Sequence, residues 1–180
     1  MNGPPRSVPS SLPGEPSEEN AAPVIQDYKA DLASVRAANP DVRLRVDYDP
    51  MLPGDPILIV EYPPPTDDPA GRDVWCDSDH QDWSTGHAIA FRIKPDHAIK
   101  LSVSFFDRNH VAYTAWTELQ GGVWQPVRVA FDQIRPNPYF QRPDAKLNVP
   151  IDVSQVKGIA FAPHDRSSGR LSITKFILSK

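Results

Sequence analysis

Hydrophobic and polar residues change their rhythm once along this chain, near residue 40. Before that point Val24, Ile25, Tyr28, Leu32 and Val35 recur three or four residues apart, with Asp27, Lys29, Asp31 and Arg36 opposite them. This spacing predicts an amphipathic helix over 24–38, within a segment 24–40 that packs on the rest of the chain. Pro23 suits its first turn and Asn39-Pro40 ends it. Beyond it the period falls to two. Leu44, Val46 and Tyr48 alternate with Arg43, Arg45 and Asp47, the stretch 57–62 is nearly all apolar, and 73–76 is a short third strand. Ile89, Phe91 and Ile93 alternate over 87–94, as do Ile99, Leu101, Val103 and Phe105 with Lys100, Ser102 and Ser104. Asp107-Arg108-Asn109 turns into a strand over 111–119 and Gly121-Gly122 into one over 123–131. Two more follow over 156–162 and 171–178. About nine short strands with no helices between them predict an all-β fold over 41–180, an antiparallel two-sheet β-sandwich of the jelly-roll kind. The irregular stretch 132–155 is too long for an idle connector, so it is expected to be a binding loop or a strap across one sheet.

Composition sharpens this picture. Of the 23 acidic residues 18 are Asp, and from position 40 onward the only glutamates are Glu61 and Glu118. Glu and Lys usually coat exposed helices, whereas Asp and Pro punctuate turns, so a body poor in Glu and carrying 15 prolines after residue 39 is built of strands and loops. The first 23 residues hold six prolines and three of the five glutamates, with too little apolar surface to offset their ordering entropy, and are expected to form a flexible arm. They lack the basic start and apolar core of a signal peptide. A net charge of −4 argues against a nucleic-acid partner. No apolar run approaches the roughly 18 residues of a membrane span, so no transmembrane segment is expected. The single cysteine, Cys76, excludes an internal disulfide framework and reads as a small buried hydrophobe.

Taken in order, Asp82-Trp83-Ser84, AIAFRIK (88–94), LSVSFFD (101–107), Gly122-Val123-Trp124-Gln125, VRVAFDQI (127–134), Pro138-Tyr139-Phe140, IDVSQVKGIAF (151–161) and Gly169-Arg170-Leu171-Ser172-Ile173 form a pattern. It resembles the galactose-binding-like jelly rolls of carbohydrate-binding modules, family 11 above all, and their relative, the complex I intermediate-associated domain family. The resemblance implies a noncatalytic β-sandwich that binds sugar chains or protein partners on a concave face or the loops beside it. It departs from the pattern at Lys157-Gly158 and Ala162-Pro163, where those modules carry a polar pair and an exposed aromatic. It departs again at Thr174, where they carry an Asp.

Sugar rings offer flat C–H faces and peripheral hydroxyls, so their sites combine exposed aromatic plates with hydrogen-bonding side chains. The stretch RPNPYFQRP supplies Arg135, Asn137, Tyr139, Phe140 and Arg142, held on a loop by prolines. The strand before it adds His110 and Tyr113. Trp116 lies an odd number of residues from Tyr113, so a regular strand shows only one of the two to the binding face, and either assignment is open. Trp83 and Trp124 read as packing residues. Asp77, Asp79 and Asp82 make an oxygen-rich stretch that is a candidate for structural calcium, and no other cofactor is expected. His80 and His87 match no zinc spacing. No nucleophile elbow, phosphate-binding loop or paired carboxylate motif is present. The first expectation is therefore a noncatalytic, extracytoplasmic (periplasmic or secreted) module that binds a β-glucan-like polysaccharide. The second is an accessory or assembly subunit docking on a larger, membrane-associated protein complex through the arm and the 132–150 loop.

Overall fold

In the computed structural model, which describes residues 23–26, 28, 32–67, 71–109, 111–139 and 141–180, the period-two pattern becomes two antiparallel sheets laid face to face. The first sheet runs β1 (Val24–Gln26), β13 (Phe176–Ser179), β6 (Ala88–Pro95), β12 (Gly169–Ile173), β4 (Pro56–Tyr62) and β3 (Arg43–Tyr48), with β9 (Gln125–Ala130) along the other side of β6. The second runs β10 (Arg135–Pro136), β8 (Ala112–Leu119), β7 (Ile99–Asp107), β11 (Val156–His164), β5 (Val74–Gln81) and β2 (Val35–Ala37). Among the described residues every strand pair is antiparallel and no helix occurs. Accordingly no helix among them is long and apolar enough to cross a membrane.

The two inner faces hold what the alternation promised. Leu58, Val60 and Tyr62 from β4 and Ile89, Phe91 and Ile93 from β6 meet Leu101, Val103 and Phe105 from β7 and Ile159 and Phe161 from β11. Each such side chain contributes about 1.5–3 kcal/mol by leaving water. Trp83 stacks on Phe131 and stands edge-on to Phe105, as a packing residue should. Trp124 is instead half-buried, donating its indole N–H to Asp49 at 2.9 Å. Cys76 is buried, and burial together with neighbouring Asp77 pushes its thiol up to about 12.

Four expectations change. The described part of 24–38 forms β1 and β2, not a helix. Tyr28 between them has φ of 58°, a left-handed backbone that a right-handed helix does not contain. β1 pairs with β13 and β2 with β5, so the β-branched Val24 and Val35 gain ladder bonds at two sheet edges that outweigh the helical spacing. Residues 27 and 29–31, like the arm over 1–22, lie outside the described residues. The strand expected over 73–76 extends through β5 to Gln81, which places Asp77 and Asp79 on a strand and not in a metal loop. Asp79, at φ 47°, sits in an irregularity where β5 advances four residues, Asp77 to Gln81, while β11 advances two, Val156 to Gly158. The strand expected over 171–178 is two: Thr174 breaks it by accepting a hydrogen bond from the Arg92 amide on its hydroxyl (2.8 Å) and donating its own amide to the Arg92 carbonyl (2.9 Å). Finally, of the two alternatives for 132–155 the structure shows a strap with an exposed aromatic at Tyr139. Ile134, Asn137 and Ile151 are buried along it, while Tyr139 stands out.

Candidate functional site

The register of the second sheet brings small residues together on its outer face. Thr114 of β8 lies opposite Ser104 of β7, Ser104 opposite Ala160 of β11, and Ala160 opposite Trp75 of β5. In the next row Trp116 lies opposite Ser102, and Ser102 opposite Ala162. The one to three side-chain heavy atoms of Ser102, Ser104, Thr114, Ala160 and Ala162 leave a trench there, because the residues around them are taller. Trp75 and Phe106 pack together with ring centroids 4.4 Å apart on one side, and His164 and Lys100 rise on the other. The cleft encloses about 600 Å³ and is lined also by Pro65, Thr66, Arg72, Asp73, Asn137 and Tyr139. Four strands at about 4.8 Å spacing make it roughly 14 Å long, which suits a short run of linked units better than one small molecule.

Two aromatics are open to a ligand: Trp116, 48% exposed, and Tyr139, 79% exposed. The polar lining is pre-set by hydrogen bonds. Asn137 donates from its amide to the Thr114 hydroxyl at 3.0 Å and accepts the Tyr139 backbone N–H at 2.8 Å, which ties the loop to the trench floor. The Thr114 and Ser104 hydroxyls lie 2.8 Å apart, as do the Ser102 hydroxyl and the His164 Nε2. Fixing these groups in advance lowers the entropy lost when a ligand binds.

Beside His164, Arg72 spans two connections. Its guanidinium donates to the Asp165 carboxylate at 2.6 Å and to the Asp165 and Ser167 carbonyls, and it lies 5.5 Å from the centre of the Tyr62 ring. Asp165 also meets His97 Nε2 at 2.6 Å, and His97 Nδ1 meets Asp96 at 2.7 Å. The Asp165 hydrogen bond raises the His97 pKa above its ordinary value against the opposing effect of partial burial, with Asp96 adding to the rise. Burial alone would raise the Asp165 carboxyl, but hydrogen bonds from His97, Ser167 and Arg72 outweigh it and hold the group low. His164 is lowered, by burial first and then by the charges of Arg72 and Lys100, so its imidazole is neutral at pH 7.

The structure sorts the residues singled out from the sequence. Asn137 and Tyr139 line the trench. Tyr113 does not: its ring is 1% exposed in the core, its hydroxyl donates to the Val149 carbonyl at 3.1 Å, and burial pushes its pKa up to about 12. Of the two assignments that the odd spacing left open, the strand takes the one with Trp116 outward. Arg135 turns back to donate to the Asp132 and Ile134 carbonyls, and Arg142 pairs with Asp144, both away from the trench. His110 and Phe140 lie outside the described residues. Asp77 pairs with Arg36 across to β2 and Asp82 accepts the Ser84 amide, so the calcium candidates face separate partners. Among the described residues no three metal-ligating side chains cluster. Glu61 sits on the first sheet and Glu118 on the second, so they do not flank a common bond as a glycosidase pair would. The floor residues Ser102, Ser104, Ala160 and Ala162 were not singled out from the sequence. Their signal was there, as small residues at every second position of two neighbouring strands.

Sequence comparison finds no matching family model and no matching curated protein. Solved structures do match. The family 11 carbohydrate-binding module of the cellulosomal cellulase Lic26A-Cel5E of Clostridium thermocellum aligns over 88% of this chain and 95% of its own, at 16% identity and a TM-score of 0.67. A family 11 module from the same organism, in complex with a β-1,3-1,4-mixed-linked tetrasaccharide, aligns over 87% and 94% at 17% identity and 0.66. The family 30 carbohydrate-binding module of the C. thermocellum cellulosomal cellulase Cel9D-Cel44B aligns over 88% and 94% at 14% identity and 0.59. The chain therefore has the jelly-roll fold of these modules.

Proposed function

We propose that this chain is a noncatalytic carbohydrate-binding module that lays a stretch of polysaccharide across the trench of the second sheet. The observation that carries the reading is the trench itself: a floor of Ser102, Ser104, Ala160 and Ala162 between taller rows, with Trp116 and Tyr139 exposed over it. A pyranose ring stacks its C–H face on an aromatic plate, while Asn137, Thr114 and the serines meet its hydroxyls. The shared fold supports this, since one of the similar structures holds a mixed-linked β-glucan tetrasaccharide. A β-glucan is accordingly the first ligand to try, and an extracytoplasmic setting follows from such a ligand. Catalysis has no equivalent support. Among the described residues the Ser102–His164 pair has no carboxylate hydrogen-bonded to the imidazole to orient it. The second expectation, docking on a membrane-associated complex, draws no specific support from the described residues.

The test is affinity electrophoresis of the full chain in gels containing mixed-linked β-glucan, xylan or galactan, followed by calorimetry on the polymer that retards it. Trp116→Ala is expected to weaken binding by roughly 2 kcal/mol, about 30-fold, as truncating a central aromatic anchor does. The variant should keep its unfolding midpoint, because half the ring already faces water. No retardation by any polysaccharide, neutral or charged, would sink the reading.

A further inference from the structure

We infer that the Trp116 end of the trench selects a glycan unit carrying an anionic substituent, a uronate carboxylate or a sulfate ester; the inference rests on the carbohydrate-binding reading above. Lys100 lies opposite His164 on β11 and next to Trp116 on β8, with its ammonium 4.8 Å from the centre of the Trp116 ring. The His164 ring lies 4.6 Å from the same indole, and Arg72 lines the cleft beside it. The ammonium lies over one face of the indole in a cation–π contact, so a sugar stacked on the exposed part of Trp116 has that ammonium within reach.

What matters is which of these charges is already spent. Arg72 is committed to Asp165, which is shared with His97, and Asp77 to Arg36. Asp73, the one carboxylate in the trench lining, has a partner of its own. Glu118 faces Lys100 across the β7–β8 ladder without forming an ion pair with it, and among the described residues no carboxylate pairs with Lys100. The floor is neutral: Ser102, Ser104, Thr114, Ala160 and Ala162. The His164 pKa is lowered chiefly by burial, with the charges of Arg72 and Lys100 adding to the fall and Asp165 opposing it. The chain's net charge of −4 does not cancel the Lys100 charge, because at physiological salt charges beyond about 8 Å are largely screened. An anion placed between Lys100 and His164 would gain a charge-assisted hydrogen bond from the ammonium without displacing an existing ion pair.

Calorimetry on the full chain tests this with matched ligands: β-1,4-linked glucuronate and galacturonate tetramers, the same tetramers after carboxyl reduction to the neutral hexoses, and a sulfated galactan oligomer beside its desulfated form. Reduction removes the charge and keeps the backbone and linkage. We expect at least one charged ligand to bind 10-fold or more tightly than its neutral counterpart, with the gap narrowing as salt rises. Lys100→Ala should close the gap and Lys100→Arg should preserve it. Preference between the carboxylated and sulfated ligands identifies the substituent. Equal binding of charged and neutral partners, or a gap that Lys100→Ala leaves intact, overturns the inference while the carbohydrate-binding reading stands. If neither these ligands nor the neutral polysaccharides bind, the reading itself fails and the inference with it.

Discussion

The outer face of the first sheet over β3, β4 and β12 and the outer face of the second sheet obey the same alternation and end in opposite states. On the first sheet Ile59 points outward yet is only 4% exposed. Its cross-strand neighbours are Arg45 and Ser172, and the surrounding outward positions carry Arg43, Glu61, Lys94 and Arg170. Long stems lie over the apolar floor and put their charges in water, several of them paired, as in Arg45 with Asp47 and Lys94 with Asp49. On the second sheet the corresponding positions are Ser102, Ser104, Ala160 and Ala162, too short to cover anything, and the face stays open as a trench. The difference is one of side-chain length, not of hydrophobicity. A filled face is a finished surface, and an unfilled one between tall walls is an open cleft.

That comparison can be broken in graded steps. The largest effect is expected where the trench wall is anchored. Arg72→Ala leaves the partly buried Asp165 carboxylate with only His97 and Ser167, and losing hydrogen bonds to a charged group costs about 1.5–3 kcal/mol, read as a lower urea midpoint. An unchanged midpoint would show that the pair does not hold the wall. Next, Ala162→Arg gives the open face the kind of residue that fills the other. It should abolish polysaccharide binding by affinity electrophoresis while the near-ultraviolet circular dichroism stays native. Arg45→Ala, on the filled face, should leave binding as it is. Tyr139→Ala should weaken binding by about 1 kcal/mol, about five-fold, since its ring is tethered through the loop and only partly walled in.

The smallest effect is on the pH dependence of stability. His97 has a raised pKa, so its contribution is fully present below its unfolded value near 6.5 and is lost as pH rises through the folded value. Asp165 has a lowered pKa, so its contribution is present above about 3.9 and is lost as pH falls through the folded value. His164, also lowered, works against His97, being fully accommodated above 6.5 and costing stability as pH falls. Urea midpoints of the wild type and His97→Asn isolate the first of these. Their difference should be greatest between about pH 4 and 6.5 and shrink toward alkaline pH; a difference that grows with pH would show that His97 is not stabilised in its charged form.

Alternation over 41–180 was enough to specify strands, their inner residues and the sandwich, because a period of two leaves one way to bury Leu101, Val103 and Phe105 together. It also picked out the 132–155 stretch, and within it Asn137 and Tyr139, since proline-held aromatics on a long loop are visible without coordinates. The short strands at 24–26 and 35–37 are not legible from their spacing. Their hydrophobic spacing suits a helix, and only the open edges offered by β13 and β5 decide for strands. Tyr113 and Trp116 had to be separated by the structure. Parity says that they point opposite ways, and the sign depends on which side of β8 faces the first sheet.

Sequence by itself therefore determined most of the residues that are inside the sandwich, Tyr113 excepted, and the length of every outward side chain. It left undecided which of those outward residues would be neighbours. Ser102 and Ala162 are 60 positions apart and meet only through the β7–β11 register, as Ser104 meets Ala160, and Asp165 reaches Arg72 only because β11 and β5 share an edge. A site made of small residues has no local motif. It exists as a gap between side chains that tertiary pairing alone sets side by side.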